Sequence, residues 1–348
     1  MTFIRPNIAA LQPYVPGEQP QERGWIKLNT NENPFTPPQV ARAVAEAVAD
    51  GLRLYPDPLC GELRRRLSQR YGVPASQIIC GNGSDELLGL AIRIAVGEGD
   101  RIAFPEPSYT LYETLACIQN ALPVAVPLGP NWELPVADLA AAGARLTLVA
   151  NPNAPTGTPY SLEEVRDLAA AVEGLLLVDE AYVDFGGESA LPLLAERENV
   201  LVVRTMSKAF GLAGVRLGYA FGSPAVIEAL YKVKDSYNVD RLSQAAGIAA
   251  LEAYDLAMAN NREIAARRDR LARILQEQFG WHVWPSAANF LLVDTRPHPA
   301  RAIYEGLKAH RILVRYFHRP RLENALRITI GSQPEVDALV RALSSMIR

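Results

Sequence analysis

What most constrains this chain is an alternation running over about residues 75 to 222. Short apolar runs recur there, each ends on polar residues, and each gives way to a stretch with helical spacing. The runs are Ile78-Ile79-Cys80, residues 101–104, 144–150, 175–178, 200–204 and 215–221, the last of which could run parallel or antiparallel. Runs such as Leu175-Leu176-Leu177-Val178 are apolar at every position, so both faces of the strand must be covered. Strands buried on both faces and alternating with helices predict an α/β fold with a mostly parallel, doubly wound sheet flanked by helices. From Pro224 to about Phe279 the pattern is mostly helical. Strands at 289–293, 312–316 and 326–330, with helices at 300–309 and from Gln333, then read as a compact α+β unit. The expected layout is an arm over 1–35 that partly joins the small domain, a large domain over 36–260, and a small domain over 261–348.

Open α/β sheets bind ligands beyond the carboxyl ends of their strands, so the residues at those ends carry the functional signal. After Ile78–Cys80 comes Gly81-Asn82-Gly83-Ser84-Asp85-Glu86, a glycine turn that opens a helix. Such a turn presents backbone N–H groups to a phosphate, although spacing alone fits an ordinary helix start capped by Ser84 equally well. Tyr109 follows the strand at 101–104, where an aromatic face could lie on a flat ring or belong to the core. Asn151-Pro152-Asn153 and Asp179-Glu180-Ala181-Tyr182 end the next two strands, and Thr205-Met206-Ser207-Lys208 ends the one after them. A carboxylate at the end of a wholly apolar strand is costly to desolvate unless a cation pairs with it. Lys208 taken singly also reads as a solvated surface lysine. As a nucleophile toward a carbonyl it needs its amine unprotonated, through burial or nearby positive charge, and Arg216 stands eight residues on.

Composition narrows the partners. With 35 Lys and Arg against 38 Asp and Glu the formal charge is −3, which offers no basic field for nucleic acid or an acidic membrane. No run approaches the roughly 18 apolar residues of a membrane span, and no basic-then-apolar leader opens the chain. Three cysteines at irregular spacing suggest buried thiols in a reducing cytoplasm rather than a disulfide framework or zinc site. The four histidines show no metal-ligand spacing, so no metal is expected.

Taken together, Tyr109, Asn153, Asp179, Tyr182, Lys208, the glycine turn and Arg216 describe one cofactor, pyridoxal 5′-phosphate. A carboxylate that keeps a pyridinium nitrogen protonated makes that ring an electron sink. The chain resembles the fold-type I pyridoxal-phosphate aminotransferases, and within them most closely the histidinol-phosphate branch. The likeness runs from Leu11-Gln12-Pro13-Tyr14 to Leu326-Arg327-Ile328-Thr329. Its carriers are Leu28-Asn29-Thr30-Asn31-Glu32-Asn33-Pro34, Tyr55-Pro56, Gly83-Ser84-Asp85-Glu86, Asp179-Glu180-Ala181-Tyr182, Ser207-Lys208-Ala209-Phe210 and Gly214-Val215-Arg216-Leu217-Gly218.

The resemblance implies roles residue by residue. Lys208 is the Schiff-base lysine and proton shuttle, Asp179 the partner of the pyridinium nitrogen, Tyr182 the ligand of the ring oxygen, and Tyr109 the stacking residue. Gly83, Ser84, Asp85, Thr205, Ser207 and Arg216 hold the phosphate. Tyr55 reaches the cofactor of a neighbouring subunit, which implies a homodimer with shared active sites. Tyr14, Asn33, Arg315 and Arg327 face the substrates, a phosphorylated amino alcohol and a 2-oxo acid. In one place the chain departs from the pattern, because Ala154 stands where the superfamily has the asparagine that bonds the ring oxygen. Either Asn153 takes over through a shifted loop, or Tyr182 bonds that oxygen alone.

The reaction implied is transamination between L-histidinol phosphate and 2-oxoglutarate, giving imidazole acetol phosphate and L-glutamate. Other readings are an aromatic aminotransferase or a phospho-amino-acid decarboxylase on the same scaffold. More distant are a Rossmann oxidoreductase, for which the third glycine is missing, and a non-catalytic ligand-binding module.

Overall fold

The computed structural model describes residues 3–13 and 17–347, so the position expected of Tyr14 lies outside the described residues. The chain starts with a short helix α1 (Pro6–Ala10), a two-residue strand β1 (Ile26–Lys27), then helices α2 (Pro38–Ala49) and α3 (Gly61–Tyr71). There follow β2 (Ile78–Gly81), α4 (Ser84–Ala95), β3 (Arg101–Glu106), α5 (Leu111–Ile118), β4 (Leu122–Pro127) and α6 (Val136–Ala141). Next come β5 (Leu146–Ala150), α7 (Leu162–Ala171), β6 (Leu175–Asp179), β7 (Val200–Thr205) and β8 (Gly218–Gly222). Strands β2 to β8 form one sheet in the order β2-β8-β7-β6-β5-β3-β4. Its neighbours run parallel except β8, which is antiparallel to both β2 and β7.

The period of two along β7 shows why this sheet is covered on both sides. Val200 and Val202 pack in one cluster with Leu63, Leu67, Ala246 and Ala250. Leu201 and Val203 point the other way, to Leu87, Tyr112 and Ile227. Each such side chain contributes about 1.5–3 kcal/mol by leaving water. The buried Arg204 side chain pairs with Glu180 at 2.7 Å and lies 4.9 Å over the Tyr71 ring, tying the end of β7 to that of β6.

The rest of the chain forms α8 (Pro224–Val233), α9 (Arg241–Glu252), α10 (Tyr254–Phe279), β9 (His282–Val283) and β10 (Phe290–Asp294). It ends with α11 (Ala300–Ala309), β11 (Ile312–Leu313), β12 (Arg315–Tyr316), β13 (Ala325–Thr329) and α12 (Gln333–Met346). A second sheet has the order β12-β13-β10-β9, and β11 pairs in parallel with β1 from the opposite chain end. Leu28 accordingly shares a core with Leu271, Leu275, Leu326, Ile328 and Leu339, so both chain ends build the smaller unit.

The mostly helical stretch from Pro224 to Phe279 is as expected, while three other local readings of the sequence differ from the fold. The helical stretch from Pro224 is three helices, the second opened by Asp240, whose carboxylate accepts the Ser243 N–H at 2.9 Å. Residues 215–217 are not strand, because Arg216 takes a left-handed φ of 57° and β8 begins at Gly218. The run 312–316 is two strands that change partner at Val314, β11 serving β1 and β12 serving β13. Strand β4 goes unannounced in the sequence because it carries prolines at 123 and 127, which a sheet tolerates at its edge.

Candidate active site

The carboxyl ends of β5, β6 and β7, the start of α4, the 29–31 run and the β12–β13 pair surround one cavity of ≈ 1010 Å³. Lys208 enters it from the turn after β7. Its Nζ donates to the Thr30 carbonyl at 3.0 Å and sits 5.8 Å from the Tyr182 ring centroid. Burial and the Arg327 charge pull its pKa down from 10.5 to about 8, against the opposing pull of Glu32 and Asp85. A lysine so placed holds an appreciable uncharged fraction near neutrality, which is what a nucleophilic amine requires.

Asp179 ends β6 and is only 5 % exposed. Its carboxylate accepts the Tyr112 hydroxyl at 2.9 Å and the Ala181 N–H at 3.2 Å. Desolvation outweighs these bonds and lifts its pKa from 3.8 to about 6. Among the described residues it makes no ion pair, unlike its neighbour Glu180, which turns away to Arg204. A buried carboxylate on the cavity wall with two donors and no cation fits a cationic ring nitrogen.

The anion end is built by backbone. Helix α4 begins with Gly83 as its N-cap and no side-chain cap, so Ser84 is the first helical residue rather than the cap. Its open N–H groups therefore face the cavity that Ser84 and Asp85 line. Gly83 has φ 80°, and a Cβ there would meet Arg216 Nη2 at 2.5 Å; one on Gly218 would come within 2.5 Å of the Ser84 nitrogen. Both glycines let the guanidinium and the helix end close around one small space. Arg216 bonds Asp85 at 3.1 Å and Ser207 Oγ at 3.4 Å, and Ser207 is held by Thr205, 2.9 Å between hydroxyl oxygens. Backbone donors, two hydroxyls and a guanidinium around a glycine cradle fit a phosphate.

Tyr109 lines the same cavity, with its hydroxyl 3.1 Å from Asp85 Oδ1 and its ring edge-on to Tyr112 at 5.6 Å. The Tyr182 hydroxyl accepts Asn31 Nδ2 at 2.9 Å. On the opposite wall Arg315 and Arg327 are direct cross-strand partners, so their side chains leave the same face of the small sheet. Arg327 also donates to the Asn29 carbonyl at 2.9 Å. The Tyr55 ring is 77 % exposed and stacks on Tyr237 at 4.4 Å, away from the cavity of its own chain.

Two expectations need correcting. Asn153 is fully buried and its amide is consumed by Ser108 at 3.0 Å, the Pro107 carbonyl at 3.1 Å and Thr156 at 2.9 Å. It brings no group to the cavity, which Ala154 lines instead. Asn33 is also turned inward: Nδ2 donates to the Lys208 carbonyl at 3.0 Å and to Asn261 at 3.1 Å. It props the lysine turn and is not among the residues that line the cavity. Three contributors escape a reading of strand ends, namely Tyr112, Asn31 and the Thr30 carbonyl. Tyr112 lies three residues past Tyr109 at helical spacing; nothing in the sequence marks the other two beyond the asparagine-rich run.

Comparison with known proteins agrees with this geometry. The model of the family "Aminotransferase class I and II" matches residues 23–343. Histidinol-phosphate aminotransferase 1 of Trichormus variabilis is 45 % identical over 351 residues, covering 99 % of each chain. The histidinol-phosphate aminotransferase of Citrifermentans bemidjiense is 44 % identical over 348 residues, again 99 % of each. The crystal structure of histidinol-phosphate aminotransferase from Sinorhizobium meliloti in complex with pyridoxal-5′-phosphate superposes with a TM-score of 0.92 at 32 % identity, covering 100 % of this chain and 98 % of that one. The chain belongs to the class I and II aminotransferases.

Proposed function

We propose that this protein transfers the amino group of L-histidinol phosphate to 2-oxoglutarate, giving imidazole acetol phosphate and L-glutamate, with pyridoxal 5′-phosphate as its cofactor. The observation that carries the reading is the meeting, in one cavity, of the Lys208 amine, the uncompensated Asp179 carboxylate and the Gly83–Arg216 cradle. Full-length similarity to histidinol-phosphate aminotransferases supports the choice of substrates.

Bound there, the cofactor supplies an electron sink for the charge left on substrate carbon when a proton departs. The chain does the rest. Ser84, Asp85, Ser207, Thr205 and Arg216 anchor the phosphate end, and Tyr109 covers the ring. Asp179 holds the ring nitrogen protonated, and the ion pair so formed relieves the cost of its own burial. Tyr182 donates to the ring oxygen without help from Asn153. The Lys208 amine, poised by burial and by Arg327, takes the proton from one carbon and returns it at another. Ping-pong transfer then needs one pocket to accept two unlike substrates in turn. Arg315 and Arg327 meet that need, because a phosphate monoester and a dicarboxylate are both close to dianionic at neutral pH.

A second copy of the chain completes the reading. Leu52, Leu54, Tyr55 and Leu59, each more than half exposed, make residues 52–59 an apolar strip along the chain, in which the Tyr55 ring stacks on Tyr237. Burying that strip in a symmetric dimer would carry Tyr55 to the partner's phosphate cradle. No helix of the described residues is long and apolar enough to cross a membrane, and the three cysteines are free, in keeping with a cytoplasmic setting. The test is an assay of protein loaded with pyridoxal 5′-phosphate, given histidinol phosphate and 2-oxoglutarate. Glutamate formed without carbon dioxide supports the reading; carbon dioxide release, or no glutamate, contradicts it.

A further inference from the structure

Tyr182 stands at the cavity with Ala154, Ala288 and Phe290 packed around its ring, Phe290 edge-on at 5.1 Å. With Ala154 lining the cavity and the Asn153 amide engaged elsewhere, the hydrogen bond to a bound ring oxygen on this side falls to the Tyr182 phenol. That phenol has one proton, so its direction matters.

The direction is set from behind. Asn31 Nδ2 lies 2.9 Å from Tyr182 Oη. The amide cannot be turned the other way at no cost, because Asn31 Oδ1 already accepts the Thr329 hydroxyl at 3.0 Å. Thr329 Oγ1 in turn accepts the Asn31 backbone N–H at 3.0 Å, and Asn289 Nδ2 donates to the Asn31 carbonyl, also at 3.0 Å. Asn31 and Thr329 are each 1 % exposed and Asn289 is fully buried, so water does not compete for these bonds. With its oxygen occupied by the Asn31 donor, the phenol must direct its own proton elsewhere, and no other hydrogen bond to the Tyr182 hydroxyl is found among the described residues.

We propose that Asn31 is a positioning residue: its amide, locked by Thr329, makes the Tyr182 hydroxyl an acceptor on its buried side and thereby a donor into the cavity. The arrangement polarises the phenol and strengthens its donation to the cofactor's ring oxygen. It also accounts for a cofactor pocket with Ala154 where a second donor could stand. The inference rests on the cofactor reading given above. It concerns which residue tunes the bound ring.

Asn31 has φ 57°, a conformation that glycine adopts without strain, so Asn31→Gly removes the amide and spares the backbone. The readout is the pH titration of the visible absorption of the cofactor-loaded protein, which does not depend on turnover. Tyr182→Phe is expected to raise the pH midpoint of that titration by about one unit, a tenfold change in the proton equilibrium. Asn31→Gly is expected to move it the same way by at least about threefold in that equilibrium, and Thr329→Val, which frees the amide, the same way by less. In the Tyr182→Phe background, Asn31→Gly should add nothing. Shifts that add in the double variant, or an unmoved midpoint in both Asn31→Gly and Thr329→Val, overturn the proposal. Wild-type protein without any titrating visible band would instead overturn the cofactor reading itself.

Discussion

The Lys208 amine rests 3.0 Å from the carbonyl of Thr30, so a run near the amino terminus and a turn 178 residues later form one wall of the cavity. Among the described residues the contact gives the buried amine one acceptor and no carboxylate partner. With a folded-state pKa of about 8 below the ordinary 10.5, the protonated amine is penalised by folding. That penalty is full below pH 8 and fades as the pH climbs from 8 toward 10.5. Lys208→Met should therefore lower kcat by at least about a thousandfold while leaving the cofactor-free protein as stable at pH 7, or more so. Steady-state assays and thermal melts read both effects.

Asp179 works with the opposite charge. Its folded-state pKa of about 6 exceeds 3.8, so the ionised form carries a folding penalty. The penalty is full above pH 6 and disappears as the pH falls from 6 to 3.8. Asp179→Asn should stabilise the cofactor-free protein at pH 7 by roughly 1–3 kcal/mol and leave it unchanged near pH 4. The same variant should bind pyridoxal 5′-phosphate on the order of a hundredfold more weakly, since the ring nitrogen loses its counter-charge. Melting curves at the two pH values, with and without cofactor, check this prediction.

Gly83 and Arg216 share a space too small for another carbon. A Cβ at 83 would lie 2.5 Å from the guanidinium, on a backbone with φ 80°. Gly83→Ala should displace Arg216 and weaken cofactor binding by about tenfold or more. Arg216→Lys, which gives up the forked geometry, should weaken it comparably. Fluorescence titration of the cofactor, competed with inorganic phosphate, measures each loss.

Tyr55 tests the shared site. Being 77 % exposed, it contributes little to the fold of its own chain, so Tyr55→Ala should change single-chain stability by less than about 0.5 kcal/mol. Its activity should nevertheless fall. Mixing Tyr55→Ala with Lys208→Ala subunits should restore about a quarter of wild-type activity, because half the dimers then hold one intact site. Failure to complement, with both variants folded, rules out the sharing.

Much of this was legible in the sequence, for identifiable reasons. Strands buried on both faces announce themselves through unbroken apolar runs, and their polar ends placed Asp179, Lys208 and Tyr109 on one crevice. What stayed hidden depends on side-chain direction or on contacts far apart in sequence. Asn153 and Asn33 have the right chemistry at nearly the right place, yet both amides are taken up by loop backbone. Asn31 faces Tyr182 across 151 positions, and no periodicity records such a contact. Arg216 delays the expected strand to Gly218, because its left-handed φ of 57° cannot belong to an extended run.

The central claim is that this cavity moves an amino group from histidinol phosphate by way of Lys208. Its most direct test is a single half-reaction: cofactor-loaded protein mixed with excess L-histidinol phosphate and no oxo acid. The account predicts loss of the visible band with one equivalent of imidazole acetol phosphate per site, and neither change in Lys208→Met. An unchanged spectrum in wild-type protein, or product formed equally by the Lys208→Met variant, would contradict it.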